Sequence, residues 1–378
     1  SKYLKEDKNF SQFSKKINLS IYLFAKKLLG QIIFCYFLQK KSWLGAKKNT
    51  SLDNGDSNFL RNRFTIVQKN KKNYFNEFLE PLFYLGLNFD NNNSYCEILD
   101  CKIPYLNGGL FEPIENYDWE AENLNIPNEI FSNKEKTGVL DIFDLYNFTV
   151  DEHEDLDVDI AIDPEMLGNV YEKLLDIEKR EEKGAYYTPK ELAIYMCRTS
   201  IVNFLNQNIK TTENIEFNKL FFETSEFEAC KKYFKQIDNL LENISICDPC
   251  IGSGAFPVTM MNEISNLRFK LNGGREEDKD QLIHDYKKHF IQNNIYGVDI
   301  EPGAVEIAKL RLWLSLIVDI KDIKNINALP NLDYKIMQGD SLIDEYHGIK
   351  FEEENTDDLF GADDELKKVT NELQKKTE

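Results

Sequence analysis

Residues 246–256, Ile-Cys-Asp-Pro-Cys-Ile-Gly-Ser-Gly-Ala-Phe, join a short apolar run, a carboxylate and two glycines one residue apart. Gly252 and Gly254 can take positive φ angles and bring the backbone close to a ligand, while Asp248 sets a carboxylate at the end of the apolar strand. Those residue types offer binding rather than covalent chemistry. Glycine turns also join strands to helices where no ligand binds, so the surrounding sequence has to decide. Residues 295–300 read as a second apolar strand carrying Asp299 near its end, and Glu301-Pro302 opens a helix, read as amphipathic, through Val318. Residues 334–338 read as a third strand, followed by Gly339-Asp340-Ser341-Leu342. The expectation is three acids along one edge of a parallel sheet. A nicotinamide dinucleotide site has its ribose acid about 20 residues after the glycine turn. Asp299 lies 45 residues after Gly254, past two helical stretches and the Gly273-Gly274 break. An adenosyl cofactor fits that spacing better.

With these motifs the sequence resembles the S-adenosylmethionine-dependent adenine-N6 DNA methyltransferases, specifically the large type IIG restriction-modification and phage-defence members. Asp248 to Phe256 looks like the first family motif. Gly297-Val-Asp-Ile-Glu-Pro302 with the following helix looks like the second, and Gly339-Asp-Ser-Leu342 like the third. Gly184-Ala-Tyr-Tyr-Thr-Pro189 resembles the motif that closes over the methionine end of the cofactor, and residues 162–175 resemble its approach. The helical run 28–44 and Tyr105-Leu-Asn-Gly-Gly-Leu-Phe-Glu112 are also family-like. The resemblance implies an α/β fold: a Rossmann-like methyltransferase sheet, incomplete here, preceded by a mostly helical domain. It implies S-adenosyl-L-methionine as cofactor, held by Tyr187, Thr188, Pro189, Asp248, Pro249, Gly252, Gly254, Asp299, Ile300, Asp340 and Ser341. Asp299 would bond the ribose hydroxyls, Asp340 the adenine amine, and Ile300 would pack on the adenine ring. The two glycines would pass close to the methionine portion, and residues 187–189 would approach its amino acid end.

The family's catalytic motif, Asn or Asp followed by two prolines and an aromatic residue, occurs nowhere in the 378 residues. An adenine amino group is a poor nucleophile, because its lone pair is delocalised. The motif supplies acceptors for its hydrogens and an aromatic ring to stack the flipped base. Methyl transfer then depends on holding nucleophile, methyl carbon and sulfur in line. No catalytic residue is assigned, and the chain reads as an amino-terminal portion that is inactive alone.

Each binding residue has a structural rival. Asp248 can bond the backbone amides of its own loop, and Asp340 can cap the turn at Ser341. Tyr186 and Tyr187 can be packing aromatics. Asp299, at a strand end before Glu-Pro, shows little structural reason to be acidic. Cys247-Asp-Pro-Cys250 has the spacing of a metal or redox pair, but no second pair follows, so no metal is expected. His284 and His289 are read as solvated on a charged helix. Asp100-Cys-Lys102 has the form of a nuclease acid-x-Lys element, and no nuclease is expected from it.

Composition bounds the class. The chain is 42% hydrophobic and 29% charged, with net charge −19. Its most apolar run, residues 28–39, is 12 residues between lysines, short of the about 20 needed to span a bilayer. Seven cysteines at irregular spacing suit a reducing cytoplasm. An acidic balance opposes phosphate contact. The first 50 residues carry eleven lysines against Glu6 and Asp7, a surface for the DNA backbone or, by slight preference, a solvated helix face. Double-stranded DNA would be engaged mostly by regions outside this chain, and no membrane partner is expected.

Three segments follow: 1–160 mostly helical, with an irregular middle at 88–117; 161–350 a partial methyltransferase domain; and 351–378 an acidic helical tail with a heptad-like stripe from Ala362 to Leu373. The acidic run at 151–159 marks the first boundary. Two other functions stay open: a methyltransferase acting on RNA, protein or a small molecule, and a non-catalytic scaffold with the same fold.

Overall fold

A computed structural model describes residues 15, 20–106, 109–113, 117–148, 161–162, 188–210, 216–221, 228–320, 328–343, 345–346 and 349–350. Residues 163–175 of the approach, 184–187 of the following motif with Tyr187, the acidic run at 151–159 and the tail at 351–378 lie outside them. Two compact units divide the chain, Ser1–Gly339 and Asp340–Glu378.

The first unit opens with helix α1, Ile21–Lys40, whose Ser20 side chain accepts a bond from the Leu23 amide. Helix α2, Phe59–Lys69, follows, and then wider π-type turns at Phe75–Leu79 and Pro81–Leu87. Pro81 has no amide hydrogen to continue an α ladder there. The irregular middle holds the antiparallel pair β1, Tyr95–Cys96, and β2, Cys101–Lys102. A short helix α3, Val139–Phe143, precedes β3, Asn147–Phe148, which pairs in parallel with β4, Ala161–Ile162.

Helices α4 (Lys190–Asn208) and α5 (Phe234–Glu242) lead to the sheet that carries the acids. Its strands β5 (Ile246–Asp248), β6 (Ile295–Asp299) and β7 (Ile336–Gln338) are parallel in the order β5-β6-β7. Asp248 stands opposite Gly297 and Asp299 opposite Gln338. Helices α6 (Ala255–Leu271) and α7 (Lys279–Asn293) connect β5 to β6, and α8 (Pro302–Asp319) connects β6 to β7. Parallel strands need such helical crossovers. Ile295 and Ile336 are fully buried, whereas Cys247, Tyr296 and Met337, on the alternate face, are exposed. The second unit shows an antiparallel pair, β8 (Glu345–Tyr346) with β9 (Ile349–Lys350).

Four expectations change. Helix α8 is not amphipathic: every residue from Ile307 to Ile317 is buried, Lys309 and Arg311 included. It is enclosed because α1 lies along it. Lys41 Nζ donates to the carbonyls of Val318 and Ile320 at its far end, and Gly30 faces Leu310 midway. The apolar run at 28–39 belongs to a 20-residue helix, long and apolar enough to cross a membrane by length and composition, yet it packs inside the core. The amino-terminal lysines are not all a solvated face: Lys26, Lys27 and Lys41 make internal contacts with Glu301, Gly109 and the end of α8. His284 is buried, its Nδ1 3.1 Å from the Leu316 carbonyl, and His289 Nε2 lies 3.1 Å from the Glu242 carbonyl. A carbonyl only accepts, so both rings donate there. Burial holds the His284 pKa below its ordinary value.

Candidate functional site

The turn after β5 is built from backbone bonds that converge on two carboxylates. Asp248 Oδ1 accepts from the Cys250 amide at 3.1 Å. Its Oδ2 is buried without a hydrogen-bond partner. Burial pushes the carboxyl pKa up, the Cys250 amide pulls it down, and the charge on Asp299 adds to the rise. An acceptor withdrawn from water with no donor leaves a place for one.

Asp299 is engaged on both oxygens. Its Oδ2 accepts from the Gly252 amide and its Oδ1 from the Glu301 amide, each at 2.9 Å. One side chain therefore ties the glycine loop of β5 to the turn after β6. The structural reason for an acid here, invisible in the sequence, is this bridge; each oxygen keeps a second lone pair for a ligand.

The two glycines do different work. Gly252 has φ +53°, and a Cβ there would meet nothing nearer than the Cys250 carbonyl at 4.0 Å, so its face is open. Gly254 has φ +81°, and a Cβ would sit 3.2 Å from Ala308 of α8. It closes the loop onto a helix and starts α6. Arg311, also in α8 and buried, donates from Nη1 to the Ser253 carbonyl at 2.8 Å and reaches its hydroxyl at 3.2 Å. Pro249 lies between Asp248 and Cys250 in this turn, and Ile300 beside Asp299 is 64% exposed, an apolar side chain left toward solvent.

Thr188 is half-buried and Pro189 exposed at the start of α4. The stripe Ala193, Cys197, Ile201 and Leu205 is buried. Cys197 Sγ lies 3.8 Å from the Phe256 carbonyl, and Arg198 grips Glu263 of α6 through two bonds of 2.6 and 3.2 Å. The Thr188-Pro189 segment thus stands on a helix braced against the one that the glycine loop opens. Asp340 and Ser341 begin the second unit, where Asp340 Oδ1 accepts from the Leu342 amide at 3.0 Å, the turn bond expected as its structural rival. Among the described residues no group of three or more His, Cys, Asp or Glu is placed to hold a metal.

Residues 293–378 match the sequence model of a family described as the Eco57I restriction-modification methylase. Over those residues the chain is similar to the restriction-modification methylases. The methylase match begins just before β6 and takes in Asp299, α8 and β7. A Methanocaldococcus jannaschii protein carrying the name of a type II restriction enzyme and methyltransferase is 32% identical over 364 residues, 89% of this chain and 28% of that protein. DNA methyltransferase A of Bacillus subtilis is 22% identical over 76% of this chain and 27% of its own length. The chain therefore spans under a third of these curated relatives. A solved type IIL restriction-modification enzyme, MmeI, in complex with DNA, aligns with TM-score 0.46 and 19% identity over 84% of this chain and 37% of that one, too distant to carry an argument.

Arg311 and Glu301 are parts of the site that the sequence alone did not reveal. A lone arginine within the apolar run 305–317 was the available signal, because an unpaired guanidinium is too costly to bury. Nothing local pointed to Glu301, whose partner lies 275 residues away in α1.

Proposed function

We propose that this chain is the S-adenosylmethionine-binding portion of a DNA methyltransferase, acting on adenine N6 within a restriction-modification or phage-defence system, in the cytoplasm. The observation that carries the reading is the buried, unpartnered Asp248 Oδ2 at the carboxyl end of β5, in the same turn as the open face of Gly252. Ligands of open parallel sheets bind outside that end of the strands. The donor set suits the cofactor: Asp248 accepts from its ammonium, Asp299 offers the remaining lone pairs to the ribose hydroxyls, and Ile300 lies against the adenine. Gly252 lets the methionine portion approach the backbone, and Thr188-Pro189 covers its amino acid end. When bound, S-adenosylmethionine supplies an electrophilic methyl carbon on a sulfonium. The chain's own residues orient that group and keep the loop shaped. The Rossmann-like reading rests on three parallel strands in order with helical crossovers, and the adenine specificity on the resemblance of the motifs.

The test is calorimetric titration of the chain with S-adenosylmethionine, beside Asp248→Asn, which keeps the side-chain shape but removes its charge. Saturable binding at least tenfold weaker in the variant is expected, the weight of one charge-assisted bond, about 1.5–3 kcal/mol. A folded wild-type chain that takes up no cofactor at millimolar concentration overturns the reading.

A further inference from the structure

We propose that Lys26, in the amino-terminal helix α1, is a positioning residue of the cofactor site, acting through Glu301 on the turn that holds Asp299. The inference rests on the cofactor reading above and deepens it. Lys26 Nζ lies 3.7 Å from Glu301 Oε1, and the two side chains retain only 10% and 16% of their exposure. Glu301 is the residue whose amide bonds Asp299 Oδ1, and Asp299 Oδ2 in turn takes the Gly252 amide. One chain of contacts therefore runs from α1 through the Glu301 turn and Asp299 to the glycine loop. Lys26 also lies against the first turn of α8: a Cβ on Gly303 would fall 2.0 Å from its Nζ. Its ammonium stands 4.0 Å over the Tyr22 ring.

Helix stability does not account for a cation in this place. The amino terminus of α8 carries the positive end of the helix dipole, which repels an ammonium. Lys41, at the other end of the same helix pair, is the contrast. It donates to the carbonyls of Val318 and Ile320, where the dipole favours it, and that is an ordinary structural cap. The Glu301 carboxylate, 3.7 Å away, supplies Lys26 with a counter-charge. Loss of Lys26 would take a counter-charge from that carboxylate, in a turn whose neighbours Asp299 and Asp248 are also acids, and the side chain would shift away from them. The Glu301 amide would move with it, and so would the oxygen of Asp299 that it fixes. Lys26 thus neutralises the acid behind the site and leaves the acids in front free for the ligand.

The experiment is a double-mutant cycle on the dissociation constant for S-adenosylmethionine in the full chain: wild type, Lys26→Met, Glu301→Gln and the double variant, with Lys26→Arg as rescue and Lys41→Met as control. Lys26→Met is expected to weaken binding roughly tenfold. The double variant is expected to be no weaker than Lys26→Met, and Lys26→Arg to recover most of the affinity. Lys41→Met is expected to lower the melting temperature with the dissociation constant unchanged. Wild-type affinity in Lys26→Met, or purely additive losses in the cycle, overturns the positioning role. If Lys26→Met does not fold, Glu301→Gln carries the test alone, and unchanged affinity there overturns the role too. A wild-type chain that binds no cofactor refutes the cofactor reading instead.

Discussion

Asp248 and Asp299 are both strand-end acids, and the structure separates them by what their oxygens already hold. Asp299 accepts two backbone amides, whereas Asp248 accepts one and keeps a buried oxygen without a donor. The Asp248 carboxyl pKa is raised by burial first and by the neighbouring Asp299 charge. A raised folded pKa means that the folded chain holds its proton more tightly than the unfolded one. The stability it contributes is present below the ordinary value of 3.8 and is lost as pH rises through the raised value. A cofactor ammonium reverses the preference, because it favours the carboxylate. S-adenosylmethionine affinity should therefore fall as pH drops through the raised pKa of Asp248. At a pH near that value, binding should release a fraction of a proton, seen as a dependence of the calorimetric heat on the ionisation enthalpy of the buffer. A heat that is the same in phosphate and Tris across that range would sink the assignment.

At the scale of elements, the loop between β5 and α6 is held by a helix that follows a different strand. Ala308 of α8 receives Gly254, and Arg311 of α8 holds the Ser253 carbonyl. The two glycines should therefore fail differently when substituted. Gly254→Ala adds a methyl at 3.2 Å to Ala308 in a left-handed backbone, and should cost about 2 kcal/mol of stability. Gly252→Ala meets open space, should cost about 1 kcal/mol for its φ of +53° and should lose most of the cofactor affinity. Chemical denaturation and titration of both variants decide it; equal stability losses with equal affinities would show that the loop does not divide its glycines in this way. The strand ends and the glycine loop were legible in the sequence because apolar runs stopped by Asp and Gly report the local chain path. The amphipathic reading of α8 failed because a helix covered on both sides has no solvent face, and periodicity is a record of exposure.

For the first unit as a whole, the helical residues before 149 and the sheet residues after 188 contribute to a single cluster of buried side chains. Helix α1 runs beside α8 from Gly303 at one end to Val318 and Ile320 at the other. Around it the amide of Leu329, shortly before β7, donates to the Leu106 carbonyl, and Lys27 Nζ donates to the Gly109 carbonyl at 3.4 Å. Lys309 reaches Asp333 at 2.8 Å. Burial depresses the Lys27 pKa, the mark of a cation held in the core. A chain lacking residues 1–160 should accordingly expose α8 and fail to melt cooperatively. Circular dichroism and a dye that reports exposed apolar surface would show it. Cooperative melting of the shortened chain, with cofactor binding intact, would establish two separable domains.

By itself the sequence determined the order of strand, acid and glycine turn, the parallel strands that such units form and the family they resemble, because each is set by residues close together along the chain. Only the tertiary structure decided which oxygen of which acid is free, that α8 is buried all round, that His284 lies in the core, and that Lys26 of the first helix meets the turn after β6. Those properties depend on contacts between residues up to 279 positions apart. Neither hydropathy nor local spacing encodes which distant groups will remove a side chain from water or satisfy its charge.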